Sequence, residues 1–252
     1  MWANIDGHLL LMVFLPGLLF KDSFGLDIHL FKKAFGQCLT MAFPQVLAGT
    51  TLVACVLKYV FPYYSTFIYA MVLGSILSAT DPVAVSALLN EVGAPPRLKT
   101  HISGESLLND GAAIVFFNIF YNMDLYQFTG GQYGRDFDWA SGIGYFCKLS
   151  LGSMALGIAL GLLLIMFLWL LSRRYNKEEN VVQIMTTLGF AYLSFYIGEG
   201  VLQMSGVITL VFMAIVAKAY GYPMINDQVG MEKFWDLLEH VLNTVLFALG
   251  GL

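Results

Sequence analysis

Two stretches of the sequence place carboxylates, amides and hydroxyls inside otherwise apolar runs. The first reads Gly74-Ser75-Ile76-Leu77-Ser78-Ala79-Thr80-Asp81-Pro82-Val83-Ala84-Val85. Pro82 has no N–H, so the Ser78 carbonyl loses its helical partner, and proline also drives Asp81 away from the α region. Thr80 and Asp81 are good N-cap residues, and proline is favoured at the first position of a helix. The pattern predicts a helix that stops, unwinds near 78–81 and restarts. A break of this kind turns freed carbonyls and a positive helix end towards an ion. The alternative is a simple proline kink.

The second stretch reads Gly104-Glu105-Ser106-Leu107-Leu108-Asn109-Asp110-Gly111-Ala112-Ala113. On a helix Glu105 and Asn109 share a face, as do Ser106 and Asp110. Asn109 and Asp110 leave the axis about 100° apart. Gly111, Ala112 and Ala113 leave room for a neighbouring backbone. A lone charged Asp110 in low dielectric is so costly that it must bind a cation or take up a proton. A carboxylate that does either, in competition, is the minimal device for exchanging a cation against a proton. Sodium prefers oxygen ligands, and Thr80, Asp81, Asn109, Asp110 and the freed carbonyls supply them. Asp110 and Thr80 are the expected ligands of a transported sodium, with Glu105, Ser106 and Pro82 in support. The alternative is a polar cluster that only ties two helices together.

The elements that must position these groups are membrane helices. Of 252 residues, 58% are hydrophobic and 12% charged, and mean hydropathy is +0.72. Soluble domains are about 45–50% apolar and about 25% charged, so one soluble globular domain is excluded. Eight apolar segments stand out, at roughly 8–20, 35–61, 65–91, 101–122, 140–172, 180–198, 202–221 and 232–252. A crossing needs about 20 residues, and most qualify. The first is short and carries Pro16, so it is either interrupted there or part of a longer helix. The stretch from Met123 to Trp139 is the one sizeable polar tract, expected to be an exposed loop. Gly152, Gly157 and Gly161 in the fifth segment are spaced for close helix packing.

If the chain crosses at every segment, one side receives Lys21, Lys32, Lys33, Arg97, Lys99, Arg173, Arg174, Lys177 and Lys233. The other receives Lys58 and Arg135, with Lys148 inside a segment and Lys218 near a segment end. The basic-rich side is expected to be cytoplasmic. A net charge of −4 is too small and scattered to imply nucleic acid. Cys38, Cys55 and Cys147 show no metal-binding spacing and are expected to be apolar packing residues. His101 lies at the mouth of the fourth segment, placed to sense pH or simply to sit at the interface. An aspartyl protease is disfavoured, because two membrane aspartates lack the Gly-x-Gly-Asp context of such a dyad. The reading is therefore a transporter rather than an enzyme, without a cofactor.

The pair Ser78-Ala79-Thr80-Asp81-Pro82-Val83-Ala84 and Gly104-Glu105-Ser106-Leu107-Leu108-Asn109-Asp110-Gly111 resembles the signature of the monovalent cation/proton antiporters, the sodium/hydrogen exchangers among them. Within these it is similar to plant salt-tolerance and sperm-type members. Phe14-Leu15-Pro16 with Leu18-Leu19-Phe20, Ser205-Gly206-Val207, and Phe234-Trp235 with Asn243-Thr244 resemble further family motifs. The resemblance implies an all-α membrane protein with a multi-helix inverted-repeat antiporter fold, here about eight helices of a larger bundle. It implies one exchanger domain over 1–252, incomplete at both ends, and a homodimer in the lipid bilayer of the plasma membrane rather than an endomembrane. Its partners would be sodium and a proton, with lithium or potassium not separated by sequence. Asp110 would carry the ion, and Asn109, where electrogenic relatives have aspartate, resembles the electroneutral class. The family's basic partner for the Glu105 position has no counterpart here, which leaves Glu105 unpaired or protonated. A truncated, non-transporting membrane subunit or an incomplete gene product is the alternative.

Overall fold

A computed structural model describes residues 7–61, 66–80, 85, 88–89, 91–135, 137, 139–174 and 180–251. Among these residues the chain forms eight helical rods and no strand. They are α1 (Gly7–Gly25), α2 (Ile28–Val60), α3 (Phe67–Leu77), α4 (Pro96–Phe128), α5 (139–174), α6 (180–201), α7 (Gly206–Met224) and α8 (Gln228–Gly250). Each of the eight apolar segments has its rod, and the expected all-α class is the observed one. Ile28–Val60, Ala140–Arg173, Val181–Val201 and Gly206–Met224 are long and apolar enough to cross a membrane. Residues 29–152 form one compact unit; residues 1–28 together with 153–252 form another.

The 29–152 unit holds the two motif-bearing helices. α2 begins earlier than the apolar run predicts. Its first turns bury Phe31, Ala34 and Cys38 at three- and four-residue spacing and turn Lys32 and Lys33 outward. Amphipathic turns of this kind escape a reading based on mean hydropathy. Pro44 is accommodated in a π-turn over Met41–Gln45, where the looser winding absorbs the missing donor. α4 starts at Pro96, the favoured proline position at a helix N-terminus. It runs 33 residues, so residues 123–128 of the expected loop are helix instead. Their polar side chains sit on a helix whose apolar face still has neighbours. Ala112 and Ala113 of α4 pack with Val46 of α2, and Phe43, Phe116, Phe120 and Phe146 close around them. The small residues after Asp110 thus do admit a neighbouring helix.

In the other unit α7 is the central helix. Every residue from Gly206 to Ile215 is buried, and a helix apolar all round belongs in a core. Ser205, itself fully buried, caps it by accepting a hydrogen bond from the Ile208 amide at 3.3 Å. Its own amide donates to Ser153 Oγ at 2.9 Å. The 153–174 stretch of α5 lies so close that a Cβ on Gly157 would overlap the Thr209 carbonyl. α1 runs through Pro16 without interruption, and Tyr192 of α6 donates its hydroxyl to the Val13 carbonyl at 2.8 Å, in the turn that the proline loosens. α1 packs on α8 through Phe20 and Trp235, with ring centroids 4.3 Å apart. Lys21 reaches Asp236 at 2.6 Å and Glu239 at 3.4 Å.

Candidate functional site

α3 sets one wall of the site. Thr66 caps its start, Oγ1 accepting from the Tyr69 amide at 3.3 Å. The helix ends at Leu77. The Ser78 amide still bonds the Gly74 carbonyl at 3.0 Å, the Ala79 amide reaches only Ile76 at 3.4 Å, and residues 79 and 80 are not helical. The described part of the motif therefore leaves regular helix where the proline chemistry predicts. Asp81 and Pro82 themselves lie outside the described residues. The stop is pinned from α2. Thr50 Oγ1 donates to Ser78 Oγ at 3.3 Å, and Ser78 Oγ donates to the Gly74 carbonyl at 2.7 Å.

α4 supplies the opposite wall. Asn109 is 6% exposed, and its Nδ2 donates to Thr80 Oγ1 at 3.0 Å. Ser106 Oγ makes a longer, weaker contact with the Thr80 carbonyl at 3.5 Å. The other half of the Asn109 amide, Oδ1, is buried without a hydrogen-bond partner among the described residues. A buried amide oxygen left open is uncommon and calls for a reason. Asn109 lines a cavity of about 250 Å³ together with Gln45, Ser78, Thr80, Glu105 and apolar residues of α2 and α3. Glu105 and Asn109 thus share a face, as their spacing requires. Glu105 forms no ion pair among the described residues. Asp110, half-buried, follows on the same turn but does not line this cavity.

The structure thus brings Thr80, Ser106, Asn109 and Glu105 together and sets Asp110 next along α4. The converging atoms are almost all oxygens. Such a set suits a hard cation, while a transition metal would call for nitrogen or sulfur. No group of three or more His, Cys, Asp or Glu able to hold a metal occurs among the described residues. Sequence reasoning passed over Gln45 and Thr50, and gave Ser78 a role through its carbonyl but not through its hydroxyl. Thr50 is fully buried, and the Thr50-Thr51 pair of hydroxyls in an apolar run was the available signal. For Gln45 it was a polar residue directly after a proline in such a run. His101 Nε2 lies 3.2 Å from Gln37 Oε1 of α2, at the outer edge of the α2–α4 packing.

A family model for the transmembrane sodium/hydrogen exchangers matches residues 3–252. Sodium/hydrogen exchanger 7 of Arabidopsis thaliana is 36% identical over 99% of this chain and 21% of its own length. The antiporter NhaP of Pseudomonas aeruginosa is 30% identical over 99% of this chain and 57% of its own. Among solved structures, the sodium proton antiporter MjNhaP1 from Methanocaldococcus jannaschii superposes with a TM-score of 0.69 at 19% identity, over 94% of this chain and 55% of that one. That likeness speaks for the fold. The chain spans less than two thirds of the length of each of these relatives. A transmembrane all-α fold, the paired motifs on α3 and α4, and a family match over nearly every residue lead to one conclusion: this chain belongs to the sodium/hydrogen exchanger family.

Proposed function

We propose that this chain is part of a secondary active transporter that exchanges sodium for protons across a membrane, one for one. The observation that carries the reading is the 3.0 Å bond from Asn109 to Thr80. It ties the non-helical end of α3 to the helix that bears Asp110, at the wall of a cavity that Thr80 and Asn109 both line. Asp110 takes sodium or a proton in turn, because a carboxylate retained within an apolar membrane helix is costly and marks an ion path. Thr80 and Asn109 contribute neutral oxygens to the bound sodium, with Asp81 as a further ligand. Glu105, Ser106 and Pro82 hold the surrounding geometry. Neutral Asn109 leaves Asp110 as the single cycling charge, so each sodium is matched by one proton. The reading takes residues 1–252 as one exchanger domain working as a homodimer in the plasma membrane; those features rest on family likeness alone.

The test is sodium-dependent pH recovery in vesicles carrying the full-length protein, with protein abundance measured in parallel. Asp110→Asn keeps the size and removes both charge and proton, so exchange should vanish while abundance holds, since an amide is cheaper to bury than a carboxylate. Asn109→Asp adds a second carboxylate and should make the flux respond to membrane potential. Normal exchange by Asp110→Asn at normal abundance would remove Asp110 from the mechanism.

A further inference from the structure

A second cavity lies away from the α3–α4 site, where α4 hands over to α5. It measures about 380 Å³ and is lined by Arg135, Phe137, Ser141, Gly144, Tyr145 and Lys148. That volume is in the range of small-ligand sites. Among the described residues, two of the lining side chains are cations and none is acidic.

The pocket is held by a folded return of the chain. After α4 the Gly131 amide bonds the Tyr126 carbonyl at 3.0 Å, and the Arg135 amide bonds the Asn122 carbonyl at 3.2 Å. Thr129 Oγ1 accepts from the Tyr133 amide at 3.0 Å. Gly134 stands at φ +85°, and a Cβ there would overlap the Asn122 carbonyl, so the return needs glycine at this position. Arg135 is thereby set over the Tyr145 ring at 5.6 Å, and Phe137 packs on the same ring at 5.0 Å. Lys148 opens the π-turn Lys148–Gly152 of α5 and remains exposed. The nearby Asp124 accepts from Thr66 Oγ1 at 3.4 Å. Asp136 and Asp138 flank Phe137 in sequence and lie outside the described residues.

Lys148 falls within the apolar stretch Ala140–Arg173, which is long enough to span a membrane. A lysine near the end of such a helix extends its ammonium to the polar boundary. Phosphates lie at that boundary. A guanidinium fork and an ammonium lining one cavity beside aromatic walls are the side chains that recognise a phosphate. We propose that this pocket binds a phosphate group, carried by a phospholipid headgroup or free in solution. The aromatic walls would lie against the glycerol backbone of a lipid.

The experiment measures phosphatidylglycerol bound to the purified full-length protein by native mass spectrometry. Wild type is compared with Arg135→Gln/Lys148→Gln. Loss of both cations should weaken binding roughly 30-fold, at about fivefold for each basic residue near a lipid surface. Lys148→Arg keeps the charge and should keep the binding, and thermal unfolding of each variant checks that it is folded. Diacylglycerol, which lacks the phosphate, should not compete. Displacement of the lipid by millimolar inorganic phosphate would support the site with the soluble anion as its ligand, and resistance to it would support the lipid. Equal binding by wild type and the double variant, or equal competition by diacylglycerol, would overturn the proposal. Binding that emerges only in Asp136→Asn/Asp138→Asn would overturn it as well, because the cations would then already be neutralised within the chain.

Discussion

Thr80→Val is the sharpest perturbation of the α3–α4 contact. Valine keeps the branched shape and removes Oγ1, which accepts from Asn109 Nδ2 at 3.0 Å. Asn109 is 6% exposed, and its Oδ1 already lacks a partner among the described residues. The substitution would leave the amide's donor half in the same condition. A buried donor left unsatisfied costs about 1–3 kcal/mol, so Thr80→Val should destabilise the protein by that amount. Thr80→Ser keeps the oxygen and should stay within about 1 kcal/mol of wild type, losing only a methyl contact. Removing both partners with apolar groups of similar shape is nearly neutral. Thr80→Val/Asn109→Leu should therefore be more stable than the sum of the single changes predicts, with a coupling of about 1–2 kcal/mol. The assay is thermal or denaturant unfolding of the full-length protein in detergent, beside sodium-dependent pH recovery. Thr80→Val and Asn109→Leu should both depress transport, and the double variant should recover stability without recovering transport. Additive stabilities, or a Thr80→Val as stable as Thr80→Ser, would refute the reasoning.

Three further outcomes follow from the packing and the charge pattern. Gly157→Val would press a side chain into the Thr209 carbonyl and should cost roughly 1–3 kcal/mol. Gly144→Ala, with nothing within 4 Å of its Cβ, should be neutral or stabilising by up to about 1 kcal/mol; paired melting curves compare the two. Ser205→Ala removes the cap of a fully buried helix start and should cost about 1–2 kcal/mol, so an unchanged melting temperature would remove the cap from the account. Cysteines introduced at Lys99 and Gln132, after replacement of the exposed Cys147, report sidedness to a membrane-impermeant reagent on intact cells. Labelling is expected at Gln132 and not at Lys99, and the reverse pattern would invert the topology.

The break in α3 was legible because proline acts through covalent geometry. A missing N–H and a clash with the preceding residue need no tertiary context, and the chain duly leaves helix after Leu77. The extra turns of α2 and α4 were not legible from hydropathy. Lys32, Lys33, Arg97 and Lys99 lower the local average, yet Phe31, Ala34, Cys38 and Thr100 bury one side of each helix. The polar run after Met123 misled for a related reason, since residues 123–128 complete a helix that their composition alone would have left as loop. Gln45 and Thr50 entered the site unannounced, because one polar residue in an apolar helix does not show which neighbour it will meet.

What the sequence by itself determined is the solvent, the elements and the chemistry. Long apolar runs require a bilayer, the runs delimit eight helices, and carboxylates retained within them require a cation or a proton. Only the tertiary structure decided which groups meet. Thr80 and Asn109 are 29 residues apart and share a hydrogen bond because Ala112 and Ala113 let α4 approach α2, and Thr50 holds the end of α3 against the pair. Likewise Arg135 reaches the Tyr145 ring only because the chain folds back on α4 through Gly134. Spacing along a helix follows from its pitch, and the sequence carries it. Distance between helices follows from which side chains are small at the crossing and which backbone groups are bonded there, and those are properties of the packed chain.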